Sequence, residues 1–103
     1  MNVIQNVADR IAAEYQPERI ILFGSHAYGT ARSDSDVDVL VLMDFEGSSF
    51  RKSLEVMKSI EAPYWLDLFV RKPDDAQRRY KELDPLIRDA FDQGNVLYER
   101  NHS

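Results

Sequence analysis

The sequence contains no cysteine. This absence excludes disulfide bridges, zinc–thiolate sites, iron–sulfur clusters and a thiol nucleophile. Histidine is scarce as well, because only His26 and His102 are present. Metal chemistry that depends on sulfur or on clustered imidazoles is therefore excluded.

Positive charge is also in short supply. Thirteen lysine and arginine residues stand against eighteen acidic residues, which leaves a net charge of -5. A general nucleic-acid binder needs a basic face to neutralise phosphates, so we expect no direct nucleic-acid partner. The balance says little about small anionic ligands, which need only local positive charge or a metal.

Long apolar runs are missing too. The longest, Val39–Met43, has five residues, whereas a helix that spans a bilayer needs ~20. Polar residues interrupt the N-terminal segment where a signal peptide would have its apolar core, namely Gln5, Asn6, Asp9 and Arg10. We therefore expect a cytoplasmic protein without a membrane partner.

What is present is an ordinary globular composition. The 103 residues are 44% hydrophobic and 30% charged, which predicts one compact domain over residues 1–103. The chain shows no internal repeat, no low-complexity tract and no linker long enough to divide domains. We expect no room for a catalytic domain together with a separate acceptor-binding domain.

Helical spacing of apolar residues predicts two amphipathic helices. Asn2 is the expected cap of the first helix, and Ser48 or Ser49 that of the second. Two further helices are expected to begin near Pro73 and Pro85. The apolar stripe of the first helix comprises Ile4, Val7, Ile11 and Tyr15, and that of the second Phe50, Leu54, Met57 and Ile60.

Short apolar segments between these helices predict strands. They lie at Arg19–Phe23, Asp36–Met43, Tyr64–Val70 and, as a short last strand, Asn95–Tyr98. Because helices and strands alternate, we expect an α/β or α+β fold with a single small central mixed sheet flanked by helices.

The turn after the first strand is the first candidate for chemistry. Gly24 lets the backbone approach a ligand closely, and a turn from a strand into a helix offers free N–H groups to a phosphate. Ser25 adds a hydroxyl group. These two residues predict a phosphate-binding turn.

Acidic residues form the second candidate. Asp36 and Asp38 are two positions apart at a strand start, so both side chains project to one face. Carboxylates so close repel each other unless positive charge lies between them, and Mg²⁺ is the natural choice. Asp67 lies between Leu66 and Leu68, where a charge is costly unless paired or metal-bound. Three carboxylates facing a phosphate-binding turn would form a two-metal site for phosphoryl transfer.

Each feature alone has an ordinary explanation. Asp34 and Asp36 are also typical of a solvated acidic loop, and Asp67 is also compatible with a water-facing position at a strand edge. Arg32 is either a clamp for a triphosphate or the partner of Asp34. The combination is more specific, and it fits neither a P-loop nor a dinucleotide-binding fingerprint.

Together these residues resemble the signature of the DNA polymerase β-type nucleotidyltransferases, and in particular its small prokaryotic branch, the minimal nucleotidyltransferases (MNT). The resemblance covers essentially the whole chain, and it implies a single nucleotidyltransferase domain over residues 1–103 with a polymerase β-like catalytic core. The residues that carry it are Gly24, Ser25, Gly29, Ala31, Arg32, Asp34, Ser35, Asp36, Asp38 and Val41.

The resemblance assigns roles to individual residues. It implies that Gly24 and Ser25 hold the β- and γ-phosphates of the incoming nucleotide. Asp36 and Asp38 would hold two Mg²⁺ ions, and Asp67 would bind the ion that activates the acceptor hydroxyl. His26 departs from the pattern, since many members carry arginine there; a mostly neutral histidine would contact phosphate more weakly.

A partner is implied as well. Small MNT proteins are commonly paired, as antitoxin and toxin, with a helical HEPN-domain ribonuclease. The resemblance thus implies an antitoxin that transfers AMP from ATP to a tyrosine hydroxyl of the toxin. Two alternatives stay open: an antitoxin that acts by steric binding alone, and a nucleotidyltransferase for a small-molecule hydroxyl of the aminoglycoside type.

Overall fold

The structure, a computed structural model, describes residues 3–32 and 34–100. The expected cap Asn2 lies outside these residues. None of the described helices has both the length and the apolar character to cross a membrane. In chain order the elements are α1 Val3–Tyr15, β1 Arg19–Phe23, α2 Ser25–Tyr28, β2 Val37–Leu42, α3 Ser49–Ser59, β3 Leu66–Arg71, α4 Pro73–Lys81, α5 Pro85–Gln93 and β4 Asn95–Glu99.

The four strands form one sheet in the order β3-β2-β1-β4. Strand β1 is antiparallel to both β2 and β4, whereas β2 and β3 are parallel. The sheet is therefore mixed, and helices cover both faces. The predicted fold class is confirmed.

Strand alternation divides the core into two clusters, one on each face of the sheet. Helices α1 and α3 pack on the larger cluster, and α4 and α5 pack on the smaller one. In β2, for example, Val39 belongs to the larger cluster and Leu40 to the smaller one. Asp38 is two residues before Leu40, so its side chain lies on the same face as Leu40, the face of α4 and α5.

The predicted start of β3 is wrong by two residues. The strand begins at Leu66 instead of Tyr64, because residues 64 and 65 form a turn in which the Leu66 N–H donates to the Pro63 carbonyl at 3.1 Å. Strand β3 also continues to Arg71, one residue beyond the prediction. Both changes leave Asp67 near the beginning of an edge strand.

Helix α3 also departs from the prediction. Ser48 caps it, since its Oγ accepts a hydrogen bond from the Arg51 N–H at 3.1 Å. Phe50 and Leu54, however, lie on the surface with 73% and 50% of their area exposed. The buried position between them belongs to Ser53, whose Oγ accepts the Val70 N–H of β3 at 2.9 Å. A polar side chain faces inward here because the edge strand needs a hydrogen-bond acceptor.

Helix α4 is tied to α5 by a cluster of charges. Asp75 accepts hydrogen bonds from the guanidinium groups of Arg78 and Arg79, the latter at 2.9 Å. These hydrogen bonds hold the pKa of Asp75 below its usual value. Arg79 also reaches Asp84, the N-cap of α5, at 3.3 Å.

This cluster predicts a pH-dependent contribution to stability. Because the folded state favours ionised Asp75, its contribution is complete above the unfolded pKa of about 3.9 and is lost as the pH falls through the lower folded pKa. We expect Asp75→Asn to lower Tm by about 2–4 °C at pH 7, and the difference from wild type to shrink as the pH falls through the lowered folded pKa of Asp75.

Thermal unfolding followed by circular dichroism between pH 2.5 and pH 7 measures this effect. Asp74→Asn, in the same helical turn but exposed, removes the same charge and serves as the control. Equal Tm losses in the two variants at pH 7 would contradict a specific role for Asp75.

Candidate active site

A sharp turn connects β1 to α2. Gly24, the N-cap residue, has φ 77° and ψ -159°, a conformation that side-chain-bearing residues rarely adopt. Its carbonyl accepts the N–H groups of Ala27 at 3.0 Å and Tyr28 at 3.3 Å. The N–H groups of Ser25 and His26, in the first turn, have no partner within the helix. They lie at the end of the sheet where the acidic residues are.

Asp38 lies directly against this turn. It pairs with Phe23 in the antiparallel register of β1 and β2, so its side chain is adjacent to the residue that follows Phe23. A Cβ atom added to Gly24 would lie 2.5 Å from Asp38 Oδ2. Position 24 therefore requires glycine, because the backbone has a positive φ there and because a carboxylate occupies the space of a Cβ atom.

Asp67 is the neighbour of Asp38 on the other side. The two residues are partners in the parallel register of β2 and β3, and they share the face of α4 and α5. Asp67 is exposed, because β3 is an edge strand and its apolar neighbours Leu66 and Leu68 point to the opposite face. The expectation that these leucines make its charge costly is therefore wrong, and the water-facing alternative describes its position.

Asp36 precedes β2 and is exposed as well. Together with His26, Ser35 and Trp65 it lines an open groove of about 360 Å³. Gly24, Asp38 and Asp67 thus follow one another across β1, β2 and β3, with Asp36 beside them at the entrance to β2.

The charges of the neighbouring carboxylates act on Asp38. Burial raises the pKa of Asp38 above its usual value, and the negative charges of Asp67 and Asp36 raise it further. The positive charge of His26 lowers the pKa of Asp38 and is the smallest of these four effects. A cation placed among these residues would relieve the repulsion.

This arrangement fits a hard divalent cation in two respects. Carboxylate oxygens are the ligands that Mg²⁺ prefers, and the negative charges of Asp67 and Asp36, which act on Asp38, would attract a cation. The side chains do not form a finished coordination shell: within residues 3–32 and 34–100, no three His, Cys, Asp or Glu side chains are placed to hold one ion. The assignment of Asp36, Asp38 and Asp67 as metal ligands thus stays a prediction.

His26 contacts the loop that carries Asp36. Its Nε2 donates to the Ser35 carbonyl at 3.2 Å. Ser35 in turn accepts the Arg32 N–H on its Oγ at 2.9 Å and donates its own N–H to the Arg32 carbonyl at 3.0 Å. The residue that departs from the MNT pattern therefore holds the approach to β2 in place.

Arg32 lies exposed in the same loop. Its side chain forms no ion pair with Asp34, although both residues belong to the described part of the chain. The alternative in which Asp34 neutralises Arg32 is therefore not observed. A role for Arg32 in binding a triphosphate stays a prediction.

A second groove, which sequence reasoning missed, opens beside Asp67. We call it the α3–β3 groove; it has a volume of about 370 Å³. The signal for it was the pair Phe50 and Leu54, which lie four residues apart and therefore on one side of α3. That side is not the inward face, because the inward position between them belongs to Ser53. Its lining includes Phe50, Leu54, Met57, Asp67, Phe69 and Arg71.

The close contact at Gly24 predicts a specific cost for added bulk there. We expect Gly24→Ala to destabilise the protein by about 1–3 kcal/mol, because alanine must adopt a positive φ and the Asp38 carboxylate must leave its position. Gly29→Ala is the matched control, since Gly29 has nearly the same φ and nothing within 4 Å of an added Cβ. Thermal unfolding should show the larger Tm loss for Gly24→Ala, and equal losses would contradict the contact.

Comparisons with known proteins identify the family and similar folds. The family model for a nucleotidyltransferase domain matches residues 4–97. No curated protein matches the chain. The chain is similar to a candidate nucleotidyltransferase from Sulfolobus solfataricus, with 18% identity, a TM-score of 0.68, and coverage of 94% of this chain and 78% of that one.

Two further similar structures come from toxin–antitoxin pairs. One was solved with AMP-PNP and shows 19% identity, a TM-score of 0.54, and coverage of 92% of this chain and 73% of that one. The other is a mutant of the pair MntA–HpeT, with 18% identity, a TM-score of 0.57, and coverage of 96% and 74%. At these identities the structures show a shared fold, while the family model, which spans nearly the whole chain, shows that this protein belongs to the nucleotidyltransferase domain family.

Proposed function

We propose that this protein is a Mg²⁺-dependent antitoxin that transfers AMP from ATP to a tyrosine hydroxyl of a HEPN-domain ribonuclease toxin and thereby neutralises it. Membership of the nucleotidyltransferase family supplies the reaction class. The observation that carries the proposal is the row of Gly24, Asp38 and Asp67 across three neighbouring strands. A turn suited to phosphate thus lies beside carboxylates suited to metal.

The nucleotide's triphosphate would lie at the turn after β1. The first N–H groups of α2 and the Ser25 hydroxyl are donors for the β- and γ-phosphate oxygens. Gly24 allows the phosphates to approach the backbone because it has no side chain. Arg32, without a carboxylate partner in the described residues, adds positive charge to the same loop.

Asp36 and Asp38 would hold the Mg²⁺ ions, and Asp67 would contribute to the one nearer the acceptor. When bound, Mg²⁺ supplies positive charge that neutralises the α-phosphate and lowers the pKa of the acceptor hydroxyl. The mutual repulsion of the carboxylates favours this occupancy, because a cation replaces an unfavourable interaction with a favourable one.

The chemical step is a single displacement. The acceptor oxygen forms a bond to the α-phosphorus of ATP, and the bond from that phosphorus to the β-phosphate oxygen breaks. Pyrophosphate leaves, and Asp67 accepts the proton of the acceptor hydroxyl. The exposure of Asp67 at the sheet edge lets a large acceptor reach it.

The proposed partner and nucleotide rest on the similar structures. Two of them come from toxin–antitoxin pairs, and one contains AMP-PNP, an ATP analogue. The MntA–HpeT structure carries a variant in which two aspartates, separated by one residue, are glutamates. That spacing is the same as between Asp36 and Asp38 here, which supports the choice of this pair for mutation.

Intact-mass spectrometry of the partner tests the proposal. The product of the adjacent gene is incubated with this protein, ATP and Mg²⁺, and we expect its mass to increase by one or more AMP units. Asp38→Ala should reduce the rate by at least about 100-fold, because the variant loses transition-state charge stabilisation. Asp44→Ala, exposed just beyond the opposite end of β2, is the control and should react like wild type.

Activity of Asp38→Ala within about tenfold of wild type would contradict the metal assignment. A stable complex without any mass change would instead support the steric antitoxin. Neither a mass change nor a complex would favour a small-molecule acceptor.

Repulsion among the carboxylates generates a second prediction. We expect Asp36→Asn to raise Tm in EDTA by about 2–4 °C, which corresponds to about 0.5 kcal/mol. The same variant should lose most of the Tm increase that Mg²⁺-ATP gives wild type. It binds Mg²⁺-ATP more weakly, and a ligand that binds more weakly stabilises the folded state less. Differential scanning fluorimetry with Asp44→Asn as control measures both effects; an unchanged Mg²⁺-ATP shift in Asp36→Asn would contradict the site.

A further inference from the structure

The outer surface of α3 carries large apolar side chains that the core does not use. Phe50 and Leu54 are 73% and 50% exposed, and their four-residue spacing places them on the same side of the helix. Met57 and Phe69 extend this apolar surface into the α3–β3 groove. A contiguous exposed apolar patch beside a groove is typical of an interaction site.

The edge of β3 next to this patch is closed to an additional strand at one point. The Val70 N–H donates to Ser53 Oγ at 2.9 Å, and the Val70 carbonyl accepts from Arg71 Nη1 at 2.9 Å. Both outward backbone groups of Val70 are therefore already paired. At this point of the edge an occupant of the groove would therefore bind through its side chains.

The groove opens directly at Asp67. Across the sheet, Gly24 lies on the β1 side of Asp38 and Asp67 lies on the β3 side. A nucleotide held at Gly24 and an occupant of the groove would thus approach Asp38 from opposite sides. This is the arrangement that transfer between two bound molecules requires.

The groove also contains a positive charge without a carboxylate partner. Arg71 donates to the Val70 carbonyl, but it forms no ion pair within residues 3–32 and 34–100. The other arginine of the lining, Arg79, is paired with Asp75 and Asp84. In a chain of net charge -5, this unpaired arginine favours an acidic group on whatever binds beside it.

We propose that the α3–β3 groove is the surface on which the acceptor protein docks. The partner places an apolar surface on Phe50 and Leu54 and an acidic residue on Arg71, and its acceptor hydroxyl reaches Asp67. Arg71 is four positions beyond Asp67 in β3, so the acidic residue lies about 13 Å from the acceptor position. That the protein bound in this groove is the acceptor rests on the proposed function.

A protein suits this surface better than a small molecule does. With 73% of its area exposed, Phe50 stands out from the groove and does not enclose a cavity, whereas small-molecule sites bury most of their ligand. An apolar centre with a charge at its margin is the usual composition of a protein–protein interface.

Binding and transfer measurements with four variants test the docking surface. The probe is the purified product of the adjacent gene, titrated by isothermal calorimetry without ATP and then used as acceptor with Mg²⁺-ATP. We expect Leu54→Ser and Arg71→Glu each to weaken Kd at least tenfold, since apolar and charged anchors dominate interface energy. KM for the acceptor should rise to a similar extent while kcat stays within about twofold.

The control is Leu83→Ser, the same substitution at a residue that is 68% exposed in the turn between α4 and α5. It should bind and react like wild type. Arg71→Lys keeps the positive charge and should recover most of the affinity lost in Arg71→Glu. The Tm increase with Mg²⁺-ATP should be the same in all four variants, which shows that they fold and bind nucleotide.

The outcomes separate the docking surface from the proposed activity. Wild-type affinity in both Leu54→Ser and Arg71→Glu overturns the docking surface, whether or not AMP is transferred. Weakened binding in these variants, with no AMP transfer by wild type, supports the surface and overturns the proposed function. No complex and no AMP transfer with wild-type protein overturns both.

Discussion

The contact between the Asp38 carboxylate and the Gly24 backbone is the constraint on which the candidate site depends. It requires the antiparallel register that places Asp38 opposite Phe23, and it requires a residue without a side chain at the positive φ of Gly24. The same register directs the first turn of α2 toward the acidic residues. A shift of β2 by one residue would place the Asp38 side chain on the face of α1 and α3 and remove it from the site.

Carboxylates placed so close together destabilise the folded state, and packing in the rest of the fold compensates for this cost. Asp38 is partly buried between two other negative charges, which raises its pKa. Apolar clusters on both faces of the sheet, which include Val39 on one side and Leu40 on the other, hold the strands in register despite this repulsion. The candidate site is thus an electrostatically unfavourable feature at the end of a well-packed sheet, as expected where a cation binds.

Helix α3 contributes to both the core and the surface. Its inward side supplies Val56 to the core and Ser53 to the unpaired edge of β3. Its outward side keeps Phe50 and Leu54 in solvent beside Asp67. The position of the helix therefore pairs the outward Val70 N–H of the edge strand and at the same time builds the wall of the α3–β3 groove.

The sequence by itself determined the order of helices and strands and the turn at Gly24, because each depends on local backbone preference. The shared face of Asp36 and Asp38 stays a prediction, since β2 begins at Val37. Only the tertiary structure decided that β3 lies at the edge, which exposes Asp67, and that Ser53 replaces Phe50 and Leu54 on the inward face of α3. Those outcomes depend on which strands pair and where a helix crosses the sheet. Hydrophobic periodicity does not encode either, since it records how apolar a face is and not what will cover it.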